Sequence, residues 1–237
     1  PIGYQFSEFG LADRTVVVSY WLHMLAISVF LFLIPLSKHM HLVMAVPNVF
    51  FHDTGPAAKM RPLAMGDDGK AVPLEDLDID SFGVSSYTQY TWRQLIDGWS
   101  CTSCARCQDV CPAYASGKGL NPMQVIHDVR DYANEHAPLL LSGEAPEETM
   151  MQRITEEAVW ACTTCNACVD VCPLYIEHVP KLTDLRRNAM METMEYPDVL
   201  NTAMGNIEST SNPYGYGEQE RADWASDLDV KIGEPAE

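Results

Sequence analysis

The sequence predicts a mainly α-helical protein, with one transmembrane helix followed by an all-helical domain that presents eight cysteines. Three observations predict it. Residues 15–37 form a run of 23 with no Asp, Glu, Lys or Arg. The eight cysteines fall into two copies of one spacing with none left over. The 50 residues between the copies, 112–161, carry helix start signals and helical periodicity rather than strand alternation.

The uncharged run, TVVVSYWLHMLAISVFLFLIPLS, suits a helix of about 1.5 Å rise per residue crossing a hydrocarbon core of about 30 Å. We take the spanning helix as residues 15–45 within a membrane segment 1–53. Tyr20 and Trp21 stand near one end, where an interfacial aromatic belt would lie. Pro35 is expected to kink the helix near its end. Lys38, Lys59 and Arg61 follow the run against Arg14 before it, which puts the C-terminal side in the cytoplasm by the positive-inside rule. A buried core helix is the alternative reading. The chain starts at Pro1 with no cleavable signal ahead of it, so it is expected to be processed or to begin partway into a longer polypeptide.

Residues 54–86 read as a linker, with Gly55-Pro56, Gly66, Gly69, Pro73 and scattered acids. The domain expected over 87–199 opens with a short helix over 87–98. The first cysteine run is Cys101-x-x-Cys104-x-x-Cys107-x-x-x-Cys111-Pro112 and the second is Cys162-x-x-Cys165-x-x-Cys168-x-x-x-Cys172-Pro173. In this spacing three thiolates reach three corners of one iron–sulfur cube, and the fourth, before proline, reaches the other cube. The assignment is therefore Cys101, Cys104, Cys107 and Cys172 for cluster 1, and Cys162, Cys165, Cys168 and Cys111 for cluster 2, both [4Fe-4S]. Disulfides or zinc are the competing readings. Disulfides have no reason to repeat a four-cysteine run ending in Cys-Pro, and zinc sites usually pair two Cys-x-x-Cys knuckles without further members. Thiols committed to clusters place the domain on a reducing side, the cytoplasm.

Between the runs, Asn121 reads as an N-cap with Pro122 at the first helical position, and Val125, Val129 and Tyr132 follow at helical steps. A second helix is expected near Pro146-Glu147-Glu148, with Met151, Ile154, Ala158 and Trp160 inward. A third is expected near 180–194, carrying Arg186 and Arg187. Residues 200–237 read as an acidic tail, or a linker to a further C-terminal domain.

Two histidines bear on the membrane part. His23 and His41 are 18 apart, five full turns of an ideal helix, so a continuous helix would place both on one face about 27 Å apart along the axis. That separation matches axial ligation of one haem b near each membrane face. His39 falls off that face. Each haem would need a second ligand from outside this chain, because His52, His127, His136 and His178 lie outside the membrane segment. Histidine in a spanning helix is costly and tends to be functional. The plain alternative is that His23 bonds another helix and that His39 and His41 are interfacial. Lys38 would anchor at the interface or reach a haem propionate.

The stretch Pro35-Leu-Ser-Lys38-His-Met-His41, with His23 upstream, resembles the last haem-bearing helix of the nitrate reductase gamma-subunit type of cytochrome b. Residues 87–224 resemble the iron–sulfur subunit of heterodisulfide reductases, where the double motif is followed by cysteine-rich CCG domains. The fusion resembles membrane-bound iron–sulfur reductases that link electron-transfer flavoprotein to menaquinone. The resemblance implies an oxidoreductase component with two [4Fe-4S] clusters, haem b, cytochrome b helices, a quinone, membrane lipid and a cytoplasmic redox protein as partners. The family often has Gly where Ala105 stands. The upstream helices and the CCG domains fall outside this sequence, so the chain reads as the wire rather than the catalytic centre.

A net charge of −18 argues against nucleic acid, which requires clustered Lys and Arg. No catalytic dyad, phosphate loop or nucleotide fingerprint stands out. Two alternatives to the haem-linked wire are a haem-free ferredoxin-like subunit docked on a membrane quinone partner, and a structural metal module without redox turnover.

Overall fold

A computed structural model describes residues 11–55, 60, 62–63, 72–76, 82–144 and 146–228. Much of the expected 54–86 linker, with Lys59 and Arg61, and residues 229–237 of the expected tail lie outside the described residues. Every regular element among the described residues is helical.

Helix α1 spans Leu11–Leu33. Its apolar portion, Asp13–Leu33, is long and apolar enough to cross a membrane, and none of that window is buried within the chain. A core helix of a soluble domain would bury such a face, so the exposed surface needs lipid or other helices to cover it. The expected single helix over 15–45 is not what forms. α1 ends at Leu33, and α2 begins only at Met40 and runs to Phe50. Pro35 lacks an N–H and disfavours the α conformation in Ile34 before it, so the helix stops rather than kinks. The straight-helix projection that aligned His23 with His41 does not hold across this break.

The second part of unit 1–188 is built on α3 (Trp92–Ser100), α6 (Pro122–Glu135), α8 (Met150–Ile154), α9 (Glu156–Ala161) and α11 (His178–Asn188). Thr91 opens α3 with a capping box closed by Gln94. Asn121 caps α6 as the sequence predicts, accepting from the N–H groups of Met123 at 3.0 Å and Gln124 at 3.3 Å. The inward face of α6, Val125, Val129, Tyr132 and Ala133, packs with Met150, Val159 and Leu185 in one core. Each such side chain contributes about 1.5–3 kcal/mol by leaving water.

The helix expected near residue 146 is two helices. Thr149 caps α8, and Thr155, at φ 76°, ends it and caps α9 by accepting from Ala158 N–H at 3.3 Å. The helix expected over 180–194 is α11 to Asn188, followed by a wider π turn over Ala189–Thr193. Gly83 (φ 72°) brings the entering chain against α11. A Cβ there would lie 2.2 Å from the Asp184 carbonyl oxygen, so only glycine fits.

The described residues from 189 to 228 belong to a second compact unit, which begins before the expected tail at 200. What reads from composition as a tail carries α12 (Asp198–Thr210) and a 3-10 stretch, Glu218–Ala225. Its acids and glycines mask a helical register whose apolar positions are few.

Candidate metal centre

The two cysteine turns repeat in three dimensions. Cys101 ends α3, Ser103 and Ala105 take left-handed conformations (φ 57° and 62°), and the short helix α4 (Arg106–Asp109) carries Cys107. Cys162 ends α9, Thr164 and Asn166 are left-handed (φ 56° and 61°), and α10 (Ala167–Asp170) carries Cys168. Each pair of left-handed residues curls the chain so that its three sulfurs face one way. The Ser103 N–H points at Cys101 Sγ and the Thr164 N–H at Cys162 Sγ, both at 3.4 Å. Cys111 then caps α5 (Pro112–Ala115), with Pro112 in the first helical position.

Cys101, Cys104, Cys107 and Cys172 line one cavity, together with Met123, Leu174, Ile176 and His178. Three sulfurs come from the first run and one from the second. The complementary set is close in space as well. Burial first, then neighbours that include Cys111, push the Cys162 and Cys168 thiols up, Cys168 to about 12. Burial likewise raises Cys107 to about 12, with Cys101 and Cys172 adding to the effect. Backbone N–H groups of Ile176 and Leu174 act in the opposite sense on Cys172.

All eight cysteines are free of disulfides. No three His, Cys, Asp or Glu side chains among the described residues converge tightly enough for a single ion. A lone zinc needs four sulfurs about 2.3 Å from one point. Thiols gathered around a cavity rather than a point leave room for a larger body that would hold them as thiolates.

Structure also brings to this cavity residues the sequence did not single out. His127 Nε2 lies 3.1 Å from Ser103 Oγ and 3.7 Å from Cys101 Sγ. His178 is 2% exposed, and burial pushes its imidazolium down to about 4, with Lys181 adding to the effect; Asp97 and the nearby Ile176 carbonyl pull weakly the other way. Its place six residues after Cys172 was the one available signal. A buried polar network joins α2 to the loop after Cys172. Asn48 Nδ2 donates to the Leu174 carbonyl at 2.9 Å and to Asp97 at 3.1 Å. Arg93 bonds Asn48 Oδ1, the Phe51 carbonyl (3.0 Å), the Tyr175 carbonyl (3.3 Å) and Asp97 (3.4 Å). Lys181 completes the network on the other oxygen of Asp97. His52 stacks on Tyr175 with ring centroids 4.2 Å apart. Only the Arg93–Asp97 pair, four apart on one helix, was legible in advance.

In the membrane part, His23 is exposed on α1 and His39 makes an edge contact with Phe30. His41 Nδ1 lies 2.6 Å from the Lys38 carbonyl, so its N–H is taken by the backbone and Nε2 keeps its lone pair.

Two cysteine turns of ferredoxin type on an all-helical scaffold, joined to an apolar helix of spanning length, define an iron–sulfur electron-transfer protein. Comparison with known proteins agrees. Residues 93–173 match the 4Fe-4S dicluster domain family. The chain is 31% identical to the EtfAB:quinone oxidoreductase of Syntrophomonas wolfei over 98% of its own length and 35% of that protein. It is 34% identical to a probable membrane-anchored ferredoxin of Chromohalobacter salexigens, over 70% of this chain and 28% of that one. With one of the subunits of the dihydromethanophenazine:CoB–CoM heterodisulfide reductase of Methanosarcina mazei it shares 32% identity, over 61% of this chain and 36% of that polypeptide. The chain thus spans about a third of the length of these curated relatives. No solved structure matches it. The chain belongs to the iron–sulfur reductases related to heterodisulfide reductase.

Proposed function

We propose that this chain is the electron-conducting part of a membrane-anchored oxidoreductase, linking a cytoplasmic redox protein, of electron-transfer-flavoprotein or heterodisulfide type, to the menaquinone pool. The observation that carries the reading is the cavity shared by Cys101, Cys104, Cys107 and Cys172. When bound, each [4Fe-4S] cube takes up and returns one electron. The protein's part is to hold it. Cys101, Cys104, Cys107 and Cys172 would grip cluster 1, and Cys162, Cys165, Cys168 and Cys111 cluster 2. Left-handed turns aim the sulfurs, N–H groups partly neutralise them, and Met123, Leu174 and Ile176 keep water away.

The name of the Syntrophomonas relative supports a flavoprotein donor and a quinone acceptor, and the name of the Chromohalobacter relative supports a membrane anchor. The clusters then lie on the cytoplasmic side, in keeping with Lys38 after the spanning run. Haem b belongs to the same reading. His41, with Nδ1 engaged by the Lys38 carbonyl, would hold one haem through Nε2, and His23 would hold a second, each with its partner ligand from outside this chain. Bound haem would supply a further one-electron carrier.

The test is iron and acid-labile sulfide analysis of the detergent-purified holoprotein, with EPR of the dithionite-reduced state. Two cubes per chain are expected. Cys172→Ser should erase the same EPR component as Cys101→Ser, and Cys111→Ser the same one as Cys162→Ser. Erasure paired run by run instead would overturn the crosswise grip. A reduced b-type α band lost in His41→Ala supports the haem arm, and its absence in the parent favours the haem-free alternative.

A further inference from the structure

His178 is a buried histidine whose ring the fold satisfies incompletely. It opens α11, is 2% exposed, and lines the cavity of Cys101, Cys104, Cys107 and Cys172. Its Nδ1 is buried and makes no hydrogen bond to the protein. A buried polar group left so is destabilising unless something absent from the protein itself pairs with it. Protein groups satisfy the comparable polar atoms around it. Lys181 is held by Asp97 and the Glu177 carbonyl, and Asn48 by Leu174 and Asp97. The imidazole shares with Arg106 a cavity lined by the four cysteines.

The arrangement is one-sided. The two cysteine runs correspond position by position, so that His178 follows Cys172 by six residues where Gly117 follows Cys111 by six. Gly117 (φ 79°) has no side chain, and no atom lies within 4 Å of where its Cβ would be. At this position the second set of cysteines has no counterpart to the ring.

We infer that His178 donates a hydrogen bond from its ring to a sulfur of the cluster held by Cys101, Cys104, Cys107 and Cys172, and so raises the reduction potential of that cluster relative to the other. This rests on the cluster reading above. The extra electron of a reduced cube resides largely on iron and sulfur, and an N–H aimed at that sulfur stabilises the more negative state. His127 supports the same side from the periphery through Ser103 Oγ, but its nitrogen already has that hydroxyl partner.

The experiment is an EPR-monitored redox titration of the holoprotein and of H178L and H178Q. In H178L the midpoint of one cluster falls by at least a tenfold change in its reduction equilibrium, about 59 mV for one electron, while the other cluster stays put. H178Q, which keeps an N–H, recovers most of the shift. Unchanged midpoints in H178L with both cubes present overturn the inference. Should H178L fail to assemble cluster 1, protein labelled with ¹⁵N-histidine decides. A hyperfine coupling from ring nitrogen to one cluster, retained in H127L and lost in H178Q, upholds the contact, and no coupling in the parent overturns it. Iron and sulfide analysis that finds no cubes in the parent instead overturns the cluster reading itself.

Discussion

Replacing Asp97 with alanine probes the join between the membrane part and the cluster loop. The carboxylate is fully buried (0%) and accepts from Asn48 at 3.1 Å, from the Glu177 backbone N–H at 3.3 Å, from Arg93 at 3.4 Å, and from Lys181. Its removal strands two cations away from water. Arg93 keeps the Phe51 and Tyr175 carbonyls and Lys181 keeps the Glu177 carbonyl, which limits the damage without restoring a counter-charge. Breaking one side of a buried ion pair costs about 3–5 kcal/mol, against a total stability of about 5–15 kcal/mol for a domain. Asp97→Ala should therefore lose about 3–5 kcal/mol in denaturant unfolding followed by circular dichroism, and should release iron to a chelator earlier than the parent. Lys181→Met, which removes one cation and leaves Arg93 paired, should lose less. A change below about 0.5 kcal/mol in Asp97→Ala would refute the reasoning, because it would mean that Arg93 and Lys181 find water or other partners at no cost.

Ala105→Gly should raise the thermal midpoint of the holoprotein, since φ 62° strains an L-residue by about 1–2 kcal/mol, partly offset by glycine's looser unfolded chain. Ala105→Val should lower it. Asn121→Ala, which removes the cap of α6 and the bond to Gln108 Oε1 at 2.8 Å, should cost about 1 kcal/mol by the same measurement. Gly83→Ala should cost well over 1 kcal/mol, because its Cβ would strike the Asp184 carbonyl. Stripping iron with a chelator should leave the Cys107 and Cys168 thiols protonated at neutral pH, so they should react with a thiol reagent far more slowly than an exposed cysteine as long as the apo-domain stays folded.

The legible parts of this chain were those written in local chemistry. Spacing of three and proline after the fourth cysteine describe a turn and its reach, and Asn121-Pro122 describes a helix start; both need only neighbours in sequence. What stayed hidden depends on distant partners. The spacing of His178 from Cys172 does not say that its ring is buried in the cavity that Cys101 lines. Asn48, an ordinary polar residue in an apolar stretch, becomes interpretable only when Arg93 and Leu174 are folded against it. The helix break shows the opposite failure. Pro35 was visible, but periodicity carried the helix past it, because projecting at 100° per residue assumes the rigid rod whose continuity was in question.

That break has a consequence for how electrons would reach the membrane. With α1 ending at Leu33, the rigid contact between the membrane part and the cysteine domain is made by α2 rather than by the spanning helix. α2 reaches the lining of the first cavity through Asn48 and Leu174, two residues beyond Cys172, and His52, just past the end of α2, stacks on Tyr175. No hydrogen bond joins α2 to the Cys162–Cys168 turn among the described residues. A carrier that exchanges electrons with a membrane site needs a fixed distance to it, and fixed distances come from buried, fully bonded contacts rather than from flexible tethers. On the proposed function, the cluster that Cys172 would help to hold is the one tied through this contact to α2, and so the one that would exchange electrons with the membrane side.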